Sequence, residues 1–214
     1  MDGVLELILC DIGNTTFHLL INENEKRYLL NEKLPAFNEK VYYISVNDKG
    51  QDSLKSTHND IVNLENYIDF QTSYKGMGID RKVACYGISD AIVVDAGSAI
   101  TVDIMSNSEH KGGFILPGFK KIENLYTQIS SKLDFDFNTK VNLDKIPLCT
   151  QDAISYAILQ SIIEPIKNIR EKQQIIFTGG DGEFLSKYFE NSIYKKDLIF
   201  ENMKRIINAN NCIA

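Results

Sequence analysis

The sequence predicts an α/β protein of two similar lobes, residues 1–87 and 88–214, with a cleft between them. Three observations carry that prediction. Short runs of branched aliphatic residues recur as buried strands do, among them VLELIL, VYYISV, AIVV and QQIIF. Two of these runs end in the same device, an Asp, any residue, a Gly and then small polar residues: DIGNTT at 11–16 and DAGSAIT at 95–101. Two further strand-like runs follow each device, so the plan begins twice, at an interval far too long for a solenoid.

Taken in order, VLELILCD reads as a buried strand and TFHLLIN as its partner after a Gly13-Asn14 turn. RYLLN and VYYISVN (41–47) supply two more strands. Residues 48–66 are polar with weak helical character, and YIDFQTSYKGMG (67–78) reads as a strand entering a glycine-punctuated loop. The plan then restarts with AIVVD, AITVDIM and, past a polar turn near Asn107 to His110, GGFIL, which Pro117-Gly118 stops. Phe119, Ile122, Leu125, Ile129 and Leu133 stand at helical spacing, and so do Ala153, Ile154, Ala157, Ile158, Ile162 and Ile166. Pro165 predicts a kink or an early end to that second helix. QQIIFTGG is a strand ending on glycines, EFLSKYFE a short helix and DLIFE a last strand. Aromatic-rich faces such as YFENSIY suit core or dimer contacts.

Composition narrows the function. The net charge of −6 argues against non-specific nucleic-acid binding, which needs a basic face. Cys10, Cys85, Cys149 and Cys212 lie far apart and His18, His58 and His110 are scattered, so no zinc-type spacing exists. The sequence opens with no basic-then-apolar signal, and no apolar run approaches the roughly 20 residues of a membrane span. A soluble protein of the reduced cytoplasm, binding neither membrane nor nucleic acid, is expected.

The acidic turns suggest polyphosphate chemistry. Gly13 lets backbone N–H groups approach a ligand, and Asn14, Thr15 and Thr16 add donors, so the turn can wrap phosphate oxygens. Asp11 cannot bind phosphate directly, because like charges repel, but it can hold a hydrated Mg²⁺ bridging to it. A second such turn would grip the same ligand from the other side. FTGGDG at 177–182, after a strand and before a helix, suits the nucleoside end or another phosphate. Neither the common P-loop motif nor G-x-G-x-x-G is present. The plain alternative is that each Asp merely caps its turn.

In this light the chain resembles the acetate kinase/sugar kinase/Hsp70/actin superfamily, and more narrowly the type III pantothenate kinases. The resemblance runs through nearly the whole sequence: DIGNT (11–15), GIDR (78–81), DAGSA (95–99), GGFILPG (112–118), TQDAI (150–154) and TGGDG (178–182), in the family's order. Ser98 stands where the family more often has Thr, which keeps a hydroxyl, and the 47–70 segment is short for the family. The resemblance implies two ribonuclease-H-like (actin-like ATPase) lobes and ATP-dependent phosphorylation of pantothenate, the first step of coenzyme A synthesis. It also implies Mg²⁺, a monovalent cation (K⁺ or NH₄⁺), and a homodimer whose neighbouring subunit completes the substrate site.

Residue by residue, the resemblance places ATP against Asp11, Ile12, Gly13, Asn14, Thr15, Thr16, Phe17, His18 and Ser98, and the monovalent cation on Asp95. Asp103 is a minor candidate beside it. Pantothenate falls to Tyr74, Gly78, Ile79, Asp80, Arg81 and Thr150, with Asp80 as the base that accepts the alcohol proton. Each has a structural alternative: a surface ion pair for Asp80-Arg81, a half-buried strand aromatic for Tyr74, and a helix N-cap for Thr150. Two other functions stay open, a kinase of the same superfamily acting on a sugar or acetate, and a catalytically silent nucleotide-binding regulator.

Overall fold

In the computed structural model, which describes residues 7–170 and 172–210, the first apolar run forms β1, Ile8–Ile12. Residues 4–6 of the predicted strand lie outside the described residues. The antiparallel β2 (Thr16–Ile21) and the parallel β4 (Val41–Ser45) flank β1, and β3 (Asn24–Leu29) and β5 (Ile61–Asn63) form the edges. The order is β3-β2-β1-β4-β5. β3 begins three residues before the predicted RYLLN, because Asn22 and Glu23 both take positive φ (47° and 68°) and close a two-residue hairpin.

The second sheet comprises β6 (Ala91–Ala96), β7 (Ala99–Ser106), β8 (Glu109–Pro117), β9 (Ile175–Thr178) and β10 (Ser192–Tyr194). Read from its β8 edge, the order is β8-β7-β6-β9-β10, with the strand directions of the first sheet. Even the hairpin recurs, with Asn107 and Ser108 at φ 52° and 62°. The doubled Asp-x-Gly device therefore reflects a doubled mixed sheet.

The chain divides into two compact units. One gathers the described residues up to Gly87 with those from Asp197 onward; the other is Ile88–Lys196. In the first, Leu9, Leu20, Tyr42 and Ile44 pack under α2 (Ile79–Cys85) and α6 (Leu198–Ala209), while Ile8, Cys10, Ile12, Phe17 and Leu19 pack with Leu54 of α1 (Asp48–Thr57) on the opposite face. DLIFE, predicted as a strand, opens α6 instead. A run of three apolar residues cannot distinguish the two states; the wider window, with Ile199, Met203 and Ile206 at helical spacing, does. The predicted strand over 67–78 is also absent, replaced by a 3₁₀ turn at Leu64–Tyr67 and a loop.

The second unit also carries α3 (Phe119–Ile129), α4 (Thr150–Ile169) and α5 (Gly182–Ser186). α3 stops before the predicted Leu133, which lies in a separate 3₁₀ turn capped by Ser130. α4 runs through Pro165 without the early end predicted. A mid-helix Pro costs about 3 kcal/mol. Ile158, Ile162, Ile163 and Ile166, all buried against β6 and β7, each contribute about 1.5–3 kcal/mol and outweigh it.

Candidate active site

Asp11 and Asp95 occupy matching places, one residue before the end of the first strand of each sheet. Both are half-buried, and the next residue, Ile12 or Ala96, is buried on the opposite face. The turns that follow close alike: Gly13 N–H donates to the Thr16 carbonyl at 3.0 Å and Gly97 N–H to the Ala99 carbonyl at 2.9 Å. Neither glycine takes a positive φ, so neither turn needs glycine for its backbone conformation. A side chain at either would meet only ordinary contacts, 3.7 and 3.8 Å away. The fold does not demand glycine there; its absence of a side chain keeps the backbone approachable. The N–H groups of Asn14, Thr15 and Ser98 have no partner among the described residues, and all three residues are exposed. Each turn, taken within its own unit, thus presents donors of the kind an anion requires.

The other residues of the first turn divide by face. Ile12 and Phe17 have side chains wholly in the core, leaving only backbone to offer. His18 pairs with Asp11 across the ladder. Its Nε2 lies 3.0 Å from Glu25 Oε2 and its ring packs edge-on against Phe200, with centroids 4.6 Å apart.

Asp95 is pressed by a segment of the TGG motif whose positioning role the sequence did not show. Gly179 has φ +81°, and a Cβ on it would lie 2.4 Å from Asp95 Oδ1 and 2.5 Å from the Ala96 carbonyl. Asp181 N–H donates to that same carbonyl at 2.9 Å, and burial pushes the Asp181 carboxyl up. Gly118, at the β8–α3 joint, abuts the second turn as tightly: its Cβ would lie 2.1 Å from the Gly97 carbonyl oxygen. A glycine followed by a helix is a visible signal, but its close approach to Gly97 depends on strand pairing. Asp103, on the same sheet face as Asp95, is 1% exposed and bound to His110 Nε2 at 2.7 Å. That buried pair gives Asp103 a structural place.

GIDR does not lie in a loop. Gly78 is the N-cap of α2, and Asp80 and Arg81 stand in its first turn. Arg81 N–H donates to Asp80 Oδ1 at 2.8 Å. A Cβ on Gly78 would fall 2.5 Å from that oxygen, so Gly78 gives the carboxylate its room. Arg81 is 4% exposed, which corrects the surface ion-pair alternative. Its guanidinium carbon lies 4.7 Å from the Tyr74 ring centroid, a cation–π contact. Tyr74 is half-buried in a loop rather than a strand. Ile79 points into the core.

Thr150 is not an N-cap. Cys149 holds that position without a side-chain hydrogen bond, and Thr150, exposed, opens α4 with a hydroxyl that has no partner among the described residues. The preceding segment is tied to α4 by Asn138, whose side chain donates to Asp152 at 2.8 Å and whose backbone N–H donates to Ser155 at 2.8 Å.

Two mixed sheets of matching topology, each bearing an acidic turn at the end of its first strand, make up the ribonuclease-H-like, actin-like fold. A Sinorhizobium meliloti protein provisionally described as a 2-dehydro-3-deoxygalactonokinase shares this fold at a TM-score of 0.60, with 10% identity over 95% of this chain and 96% of that one. Within that fold class, the sequence profile of the type III pantothenate kinases matches residues 52–172, and the chain belongs to this family. A type III pantothenate kinase of Campylobacter jejuni subsp. jejuni is 48% identical, covering 95% of this chain and 98% of its own. A crystal structure from Campylobacter jejuni, provisionally described as a conserved Baf family transcriptional activator, superposes at a TM-score of 0.88 with 47% identity, covering 96% of this chain and 99% of that one.

Proposed function

We propose that the protein transfers the γ-phosphoryl group of ATP to the primary alcohol of pantothenate, the first step of coenzyme A synthesis. One observation carries this reading: near-half identity to a type III pantothenate kinase over almost the full length of both chains. The test is ADP release by the purified chain with Mg-ATP, K⁺ and pantothenate. Release that depends on pantothenate, and not on a sugar or acetate, is expected; none under those conditions would defeat the proposal. The transcriptional description of one solved relative suggests a regulator as second reading. The acidic balance, −6, disfavours direct DNA contact.

In this reading the exposed N–H groups after Asp11, with Ser98, take the phosphates of ATP. Asp11 offers the hard oxygen that a hydrated Mg²⁺ needs, and Asp95 offers the same chemistry to K⁺ or NH₄⁺. Most of the barrier reduction in phosphoryl transfer comes from alignment and charge stabilisation, which these groups supply. Asp80 accepts the alcohol proton, and Arg81, held over the Tyr74 ring, faces the polar or anionic part of pantothenate. Exchanging K⁺ for Na⁺ is expected to lower turnover in the ADP assay; equal rates in both salts would remove Asp95 from that role.

A homodimer that completes the pantothenate site is part of the same proposal. Ile129, Ile146 and Leu148 are 72%, 77% and 100% exposed, an apolar display on α3 and the segment before α4 that suits a protein interface. Thr150, two residues past Leu148, would then present its uncommitted hydroxyl to the neighbour's substrate. Thr150→Val is expected to raise the KM for pantothenate roughly 5–50-fold, the loss of one or two hydrogen bonds, with the dimer and melting temperature unchanged. Leu148→Asp is expected to raise the same KM by dissociating the dimer, read by light scattering. A monomeric wild type would contradict both. The exposed free thiol of Cys149 and the buried ones of Cys10 and Cys85 suit a reducing cytoplasm. Among the described residues no helix is long and apolar enough to cross a membrane.

A further inference from the structure

The proposed base sits on a helix that cannot hold itself. α2 is 7 residues long, and isolated helices of that length do not persist in water. Asp80 and Arg81 occupy its first turn, and of the carbonyls in its last turn Val83 accepts a single bond from the chain just beyond the helix, the Tyr86 N–H at 3.1 Å. Asn202, wholly buried in α6, closes that end. Its Nδ2 donates to the Val83 carbonyl at 2.8 Å and the Ala84 carbonyl at 3.2 Å. Its Oδ1 accepts from Arg205 Nη1 at 3.0 Å. Neighbouring α6 positions that face the same core are apolar, Phe200, Met203, Ile206 and Ile207, and they pack on Ile79 and Val83. Such contacts are non-directional and leave a short helix free to slide or rotate. Hydrogen bonds to two successive carbonyls fix both its rotation and its axial position.

We propose that Asn202, backed by Arg205, is a positioning residue for Asp80: the C-terminal helix sets the register of α2 and thereby aims the carboxylate at the acceptor alcohol. This rests on the reading of Asp80 as the base. A displacement of about 1 Å at a reacting group can cost about 100-fold.

The test is a double-mutant cycle in steady-state kinetics, run well below the melting temperature of every variant. Asn202→Leu keeps the volume and removes the hydrogen bonds. It is expected to lower kcat about 10–100-fold while the KM for ATP stays within about threefold. Arg205→Met, at an exposed position, is expected to lower kcat about 2–5-fold by loosening Asn202. In an Asp80→Asn background, each of these penalties should shrink to less than about twofold, because the group being aimed is gone. A wild-type kcat in Asn202→Leu, whatever its melting temperature, would overturn the proposal. So would a penalty that persists undiminished in the double variant. Should Asn202→Leu not fold, the Arg205→Met pair decides by the same criterion. Full turnover in Asp80→Asn alone would instead remove the base and this proposal together, which separates the two failures.

Discussion

Asp80→Asn is expected to lower pantothenate-dependent turnover by about 10²–10⁴-fold, the contribution of a positioned carboxylate base. The substitution is nearly isosteric, and the amide oxygen can still accept from Arg81 N–H, the bond that holds the carboxylate at 2.8 Å. Arg81 and its contact with Tyr74 are untouched. The melting temperature and the KM for pantothenate should therefore move little, so the loss falls on kcat. That split marks an interaction made in the transition state rather than in substrate binding. A variant with full turnover would rule out Asp80 as base. One with raised KM and normal kcat would reassign it to binding.

Gly179→Ala is the second large effect. The position has φ +81°, which costs an L-residue about 1–2 kcal/mol. The added Cβ would also lie 2.5 Å from the Ala96 carbonyl oxygen, a backbone atom that cannot swing aside. Overpacking of that kind costs about 1–3 kcal/mol more. Together these predict a melting temperature lower by roughly 5–15 °C for a chain of this size. Because the nearest side-chain neighbour is Asp95 Oδ1, at 2.4 Å, relief of the clash displaces the carboxylate, and activation by K⁺ should weaken as well. Differential scanning calorimetry and the K⁺ dependence of turnover check the two parts. Wild-type values for both would mean that the loop after β9 does not press on Asp95.

These two positions also show what the sequence could and could not convey. The duplicated strands and the acidic turns were legible because each is local: an apolar run, then Asp-x-Gly within four residues. The matching β3-β2-β1-β4-β5 order extends that pattern, since one repeat implies one topology. DLIFE misled because helix and strand share short apolar runs, and the helix emerges only with Met203 and Ile206 in view. α1 was faint because only Gly50 and Leu54 of its residues are buried, so it shows little apolar periodicity. Arg81 looked like a surface charge since nothing in GIDR reveals that α2 turns it over Tyr74. Gly118, Gly179 and Asn202 act through neighbours far away in sequence, at Gly97, Asp95 and Val83, and no spacing rule brings those together.

The most direct measurement is phosphorus NMR of the product formed from Mg-ATP and pantothenate by the wild-type chain, with Asp80→Asn alongside. One new phosphomonoester resonance, coupled to the methylene protons of the primary alcohol, is predicted, growing in step with ADP and nearly absent in the variant. Inorganic phosphate as the only new signal besides ADP, or a phosphomonoester formed equally fast without the Asp80 carboxylate, would contradict the account.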